Sequence, residues 1–259
     1  MTLFRSCKLG NYGFGSLFTQ CSSRVQASAQ SPLYSIVPHL LLLLAHSPAN
    51  QKLIVSELSK VNLKTALTTS HLTSFKHLNA CVLEALRTLP PQAVSYNRSS
   101  NENAYKLPGG GGQWSLPKGC HIAVDLLSTM RNENSFGQDR NAFVPSRFAS
   151  FEYVPTDEIS KADNVKTLKA ALEDTPAPIQ AAFMPFGNGH FGCPAQRLAL
   201  SVTKVAVAEV VRRFELTPVK GREGIDASGV VGTMEEFSYQ QSGVLKHVDG
   251  APVSLKRRK

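Results

Sequence analysis

The residues with the most distinctive chemistry are Phe186-Gly187-Asn188-Gly189-His190-Phe191-Gly192-Cys193-Pro194-Ala195, a glycine-punctuated loop that delivers one cysteine to the start of a helix. Glycine has no Cβ, so Gly187, Gly189 and Gly192 let the backbone turn tightly and pass close to a flat ligand. Beyond the cysteine, Leu198, Val202 and Val205 recur at three- and four-residue spacing with Lys204, Arg212 and Arg213 on other faces, which predicts an amphipathic helix. Cys193 at its N-terminus would meet the positive end of the helix dipole and unpaired backbone N–H groups. These favour an anion and suit a sulfur that binds a metal as thiolate. The alternative is a buried free cysteine acting as a small apolar residue. The loop in front of Cys193 favours the ligand.

Other elements must hold such a loop. Residues 77–89 place Leu78, Val82, Ala85 and Leu89 along one helical stripe, with Glu84 and Arg87 together on its flank. By itself that pair reads as an exposed i,i+3 ion pair worth about a few tenths of a kcal/mol. Pro90 and Pro91 end the helix, because proline lacks the amide and fixes φ. Residues 93–96, 113–116 and 121–124 read as short strands between the turn-rich stretches 107–112 and 116–119. Residues 33–45, with five consecutive leucines from Leu40 to Leu44, read as a core helix ending at His46-Ser47-Pro48.

Phe186, Gly189 and Cys193 resemble the haem-binding signature of the cytochrome P450 family, in which a Phe, a Gly and a Cys wrap the proximal face of haem. The resemblance implies haem b as cofactor, with Cys193 as the iron ligand and Phe186, Gly189, His190 and Ala195 lining the group. Ala195 takes a place the family fills with Gly or Ala. Phe191 departs from the pattern: the family most often has Arg or His there to meet a haem propionate, and His190 is the candidate substitute. Arg98, beside the expected small sheet, is the second propionate candidate, against a solvated side chain. In the family, the Glu-x-x-Arg pair is buried and meets a further Arg. Here that implies Glu84, Arg87 and Arg147, the last from Phe143-Val144-Pro145-Ser146-Arg147-Phe148, in a structural charge cluster. Trp114 and Lys118 mimic a haem-holding helical motif of the family, but Pro117 and Gly119 forbid a helix there.

The resemblance further implies a mostly α fold with a small β-sheet (α+β), the C-terminal, haem-proximal half of the family's fold. Residues 1–32, rich in Ser, Gly and Gln, are expected to be a poorly structured N-terminal segment. Residues 33–259 are expected to form a partial domain comprising the end of the distal helix, the Glu-x-x-Arg helix, the small sheet, the haem loop and the proximal helix. The implied activity is a haem-thiolate monooxygenase. It would insert one oxygen atom from dioxygen into an apolar small-molecule substrate, with electrons from a reductase or ferredoxin, and secondary metabolism is the setting a divergent member suggests. The acid-alcohol pair that serves dioxygen in the family should fall at residues 28–32, where the sequence reads Ser28-Ala29-Gln30-Ser31-Pro32. It holds no acid, and Pro32 would disfavour a helix interior by roughly 3 kcal/mol. Two alternatives follow: a truncated or inactive chain, or a dehydrating or rearranging member that activates no dioxygen.

Composition excludes several other classes. The 259 residues and 42% hydrophobic content suit a globular core. Five scattered cysteines argue against a disulfide framework or a zinc site, and a thiolate ligand fits reducing intracellular surroundings. The net charge of +9 comes without a nucleic-acid-binding motif, so no nucleic acid is expected. The tail Lys256-Arg257-Arg258-Lys259 reads as solvated, whereas the basic helix after Cys193 is, by resemblance, a docking face for an acidic electron donor. The apolar run at 36–45 is about ten residues long, against the roughly 20 a membrane span requires. No signal peptide is visible. By resemblance, membrane association is expected only through a missing N-terminal anchor, and localisation, such as the endoplasmic reticulum surface for a full-length form, does not follow from these residues. The polar stretch 149–180 is assigned no chemistry.

Overall fold

Apolar patterning sets the helices. Residues 33–45 form α1, in which Leu40, Leu42, Leu43 and Leu44 are all buried, so more than one of its faces meets protein. Pro48 opens α2 (Pro48–Leu58), where its missing amide costs nothing. The computed structural model describes residues 33–61, 67–98, 105–107, 114–116, 119–149, 176–188, 192–219, 237–239, 245–247 and 253–258. The expected loose segment 1–32 lies outside them, as do the 28–32 stretch and most of the polar excursion.

Helix α3 (Thr69–Ser74) begins with a capping box between Thr68 and His71, and α4 (Lys76–Thr88) follows directly. From Leu78 to Thr88 every residue of α4 is buried, including the expected stripe. Leu89 closes the helix through its N–H to the Ala85 carbonyl, and the two prolines prevent continuation.

Among the described residues, four antiparallel strand pairs follow from turns and partners rather than from long apolar runs. Strand β1 (Val94–Arg98) pairs with β4 (His121–Asp125), in a register that sets Tyr96 opposite Ala123 and Arg98 opposite His121. Arg98 therefore lies within the strand and not after it. Strand β2 (Tyr105–Leu107) pairs with β3 (Trp114–Leu116), so Trp114 is extended, as its flanking proline and glycine require. Asp125 then caps α5 (Leu126–Met130), accepting the Ser128 N–H at 2.9 Å. Asn132 caps α6 (Glu133–Phe136), which Gly137 terminates at φ 76° and ψ −170°, a conformation favoured by glycine. A 3-10 turn at Pro145–Phe148 and α7 (Ala177–Ala182) lead to α8 (Gln196–Arg213). Strand β5 (Phe214–Pro218) pairs with β8 (Val253–Arg257), and β6 (Phe237–Tyr239) pairs with β7 (Leu245–His247).

Helix α8 forms where its spacing predicted, but it is turned differently. Leu198 is 63% exposed and Val202 40%, whereas Leu200, Thr203, Lys204, Val207, Ala208 and Val211 are buried. Tertiary packing overrides the apolar count here: the face holding Val207, Ala208 and Val211 meets the core, and it takes Thr203 and Lys204 with it.

The C-terminal run also differs from a uniformly solvated tail. Lys256 and Arg257 are exposed, but the half-buried Arg258 donates from Nε to the carbonyls of Val211 and Phe214, at 2.9 and 3.1 Å. Buried Gln51 completes this joint. Its Nε2 donates to the Leu44 and Leu216 carbonyls at 2.8 Å each, and its Oε1 accepts the Leu216 N–H at 3.0 Å and Arg258 Nη2 at 3.3 Å. All the hydrogen-bonding capacity of one amide thus ties α1, α2, β5 and the chain's end together.

Candidate functional site

The site is built outward from a buried carboxylate. Glu84 and Arg87 lie on α4 with no side-chain exposure, and the guanidinium donates Nε to Glu84 Oε2 and Nη2 to Glu84 Oε1, both at 2.8 Å. The remaining Arg87 donors reach the carbonyls of Met130, Arg140 and Ala142 at 3.0, 2.6 and 2.9 Å. All five N–H groups are therefore used, and the guanidinium also stands 4.9 Å from the centre of the Phe136 ring. Glu84 in turn accepts the Val144 N–H at 2.9 Å and faces Arg147 Nε at 3.5 Å. Burial raises the Glu84 carboxyl above its ordinary value, opposed by the Arg87 pair, the Val144 N–H and the Arg147 charge.

Arg147 carries the cluster to the next layer. It donates to the Phe136 and Asp139 carbonyls at 2.9 Å each and pairs with the Asp139 carboxylate at 2.5 Å. That pairing holds the Asp139 carboxyl below its usual range. Its neighbour Phe148, fully buried, packs its ring 4.8 Å from that of Phe183, just ahead of the cysteine loop. The three charged residues expected to cluster are therefore together, and aromatic packing connects them to the loop. Asp139, the Phe136 ring and the three carbonyls were not foreseen. The only sequence signal for them was that a buried arginine must find five acceptors.

The loop itself is held by its backbone. Gly187 adopts φ 71° and donates its N–H to the Met184 carbonyl at 3.0 Å, while the Cys193 N–H reaches back to the Phe186 carbonyl at 2.8 Å. This closes the loop and sets the partly buried Cys193 thiol, which forms no disulfide, beside the partly buried Phe186 and Ala195. Helix α8 begins at Gln196, so Cys193 precedes its first turn by a short bend, where the spacing had placed it at the helix end. Gly189, His190 and Phe191 lie outside the described residues, as does the Arg98 side chain. Burial pushes the Cys81 thiol up, which disfavours its thiolate. Among the described residues, no group of three His, Cys, Asp or Glu could hold a metal ion. No helix among them is long and apolar enough to cross a membrane.

The family model described as cytochrome P450 matches residues 35–236, which include α4, the charge cluster, the loop and α8. The chain belongs to the cytochrome P450 family. It is 28% identical over 183 residues to "Cytochrome P450 6d3" of Musca domestica, covering 71% of this chain and 28% of that protein. It is 29% identical, also over 183 residues, to "Cytochrome P450 monooxygenase fscF" of Fusarium equiseti, covering 70% of this chain and 30% of that protein. It is 31% identical over 148 residues to "Cytochrome P450 734A5" of Oryza sativa subsp. japonica, 57% of this chain and 23% of the relative. The chain thus spans less than a third of the length of these P450 relatives. P450 proteins are haem-iron dependent, and the mostly helical architecture with small antiparallel sheets is that of an α+β P450 fragment.

Proposed function

We propose that Cys193 ligates the iron of haem b as a thiolate, and that the chain is the haem-proximal part of a monooxygenase inserting one atom of dioxygen into an apolar organic substrate. The observation that carries this reading is the free, partly exposed thiol on a loop closed by the Cys193-to-Phe186 hydrogen bond. The donor set fits the group: a thiolate is a soft ligand for iron, and Gly187 in the left-handed region lets the backbone approach a flat ring. Bound through such a thiolate, haem supplies the activation of dioxygen and the transfer of oxygen. Phe186 and Ala195 border the group, and Gly189, His190 and Arg98 are the further candidates from the family's pattern, the latter two for the propionates. Glu84, Arg87 and Arg147 touch no reactant. Their part is to hold Phe148 and Phe183 so that the loop keeps its shape. Electrons would come from a reductase or ferredoxin, and the substrate pocket would draw on parts of the relatives' length that this chain does not match.

A second reading rests on the sequence at 28–32, which offers no acid to deliver a proton to bound dioxygen. It is a dehydrating or rearranging reaction on an already oxygenated lipid. The deciding experiment is the carbon-monoxide difference spectrum of the reduced protein. A red-shifted Soret band is expected, and Cys193→Ala should abolish it. Absence of haem uptake by the unsubstituted chain would defeat both readings. Reductase-dependent incorporation of labelled dioxygen would then select the monooxygenase over the rearrangement.

A further inference from the structure

Helix α4 has no cap of its own. Its N-cap residue is the buried Phe75, whose side chain accepts nothing, yet the first-turn amides of His77 and Leu78 would otherwise lack acceptors. Both are taken by another helix: Glu57 Oε1 accepts the His77 N–H at 2.6 Å, and Oε2 accepts the Leu78 N–H at 3.0 Å. Glu57 is the penultimate residue of α2, a helix with no basic residue in its last turn. A carboxylate there faces the negative end of its own helix dipole, an unfavourable place that becomes favourable only because the positive end of α4 meets it. A second strap lies two turns earlier on the same face of α2. The His77 ring Nε2 meets Asn50 Oδ1 at 3.0 Å, and Asn50 Nδ2 donates to Ser47 Oγ at 2.7 Å. Between the two straps, Ile54 is fully buried.

We propose that Glu57 is a positioning residue for the site: as a cap supplied from α2, it fixes where α4 sits along its axis and so where Glu84 and Arg87 stand. A helix is stiff and rises 1.5 Å per residue, so the seat at His77 is carried about 10 Å to Glu84. There the Val144 N–H and Arg147 read its position, and through Phe148 and Phe183 so does the Cys193 loop. The consequence for the loop rests on the haem-site reading above, whereas the cap itself does not.

The test uses the whole chain with Glu57→Ala, Glu57→Gln and, as a control of mild core destabilisation, Ile54→Val. Amide exchange at His77 and Leu78 and the Arg87 Nε–H resonance are read by NMR, with and without formate as a replacement carboxylate. In Glu57→Ala, both amides should exchange at least tenfold faster and the Arg87 signal should shift, and formate should reverse both changes. Glu57→Gln keeps one carbonyl acceptor and should expose one amide only, so it carries the test if Glu57→Ala does not fold. Ile54→Val should leave the two amides and the Arg87 signal as in the parent. Retained protection in both Glu57 variants, or an Arg87 signal unmoved when the amides open, would overturn the proposal. All these signals are read without haem. Failure of the parent chain to take up haem would therefore count against the haem-site reading and leave the cap standing.

Discussion

Glu84 and Arg87 show how little a residue pair reveals before its surroundings are known. Their i,i+3 spacing is that of an ordinary surface ion pair, which is worth a few tenths of a kcal/mol. Here both are completely buried, and the pair is one part of a network of three backbone carbonyls, one backbone N–H, a second arginine and an aromatic ring. Removing one partner leaves the other charged in a site that water does not reach. Glu84→Ala and Arg87→Ala should therefore each cost about 3–5 kcal/mol in urea unfolding. The double substitution should cost clearly less than the sum, because neither charge is then stranded. Additive losses in that cycle would show that the two do not act as a unit. At this scale the family's pattern supplied the identity of the cluster, and only the acceptors that packing brought to Arg87 explain how its burial is tolerated.

At the scale of elements, periodicity located the helices better than it oriented them. In α4 the expected stripe and the buried face coincide, because nearly every face of that helix is covered. In α8 they do not. Leu198 and Val202 supplied the apolar spacing but stand in solvent, while Leu200, Val207 and Val211 pack inward. Leu198→Ala should change stability by less than about 0.5 kcal/mol, whereas Leu200→Ala should cost about 2–5 kcal/mol, with thermal or urea unfolding deciding between them. A comparable loss for both would return Leu198 to the core. Strand β2 was missed for a related reason. Three residues beside a glycine-rich stretch have no period of their own, and they are extended because Trp114–Leu116 lies alongside to accept their hydrogen bonds.

For the whole molecule, the excess of positive charge pointed to a basic outer face behind the cysteine, and the fold redistributes that charge. Lys204 is 1% exposed and belongs to the interior, and Arg212 and Arg213 both pair with Glu209 at 2.8 Å. Burial lowers the Lys204 amine to about 7. Unfolded, it titrates near 10.4, so between those values the unfolded chain binds more protons and stability should rise with pH. Below the folded value both states are charged and the whole penalty of burying the ammonium is felt. Lys204→Met should flatten the rise in urea stability between pH 7 and 10, and an unchanged slope would put the titration elsewhere. What the sequence determined by itself was local: the glycine-punctuated loop around Cys193, the proline stops, the helical spacing and the family's ordered motifs. Each depends on backbone chemistry within a few residues. The tertiary structure decided which face of α8 is dry, which charges are buried, and which carbonyls receive Arg87. Those outcomes depend on groups far apart in the chain competing for the same acceptors and the same apolar surface, which no local spacing records.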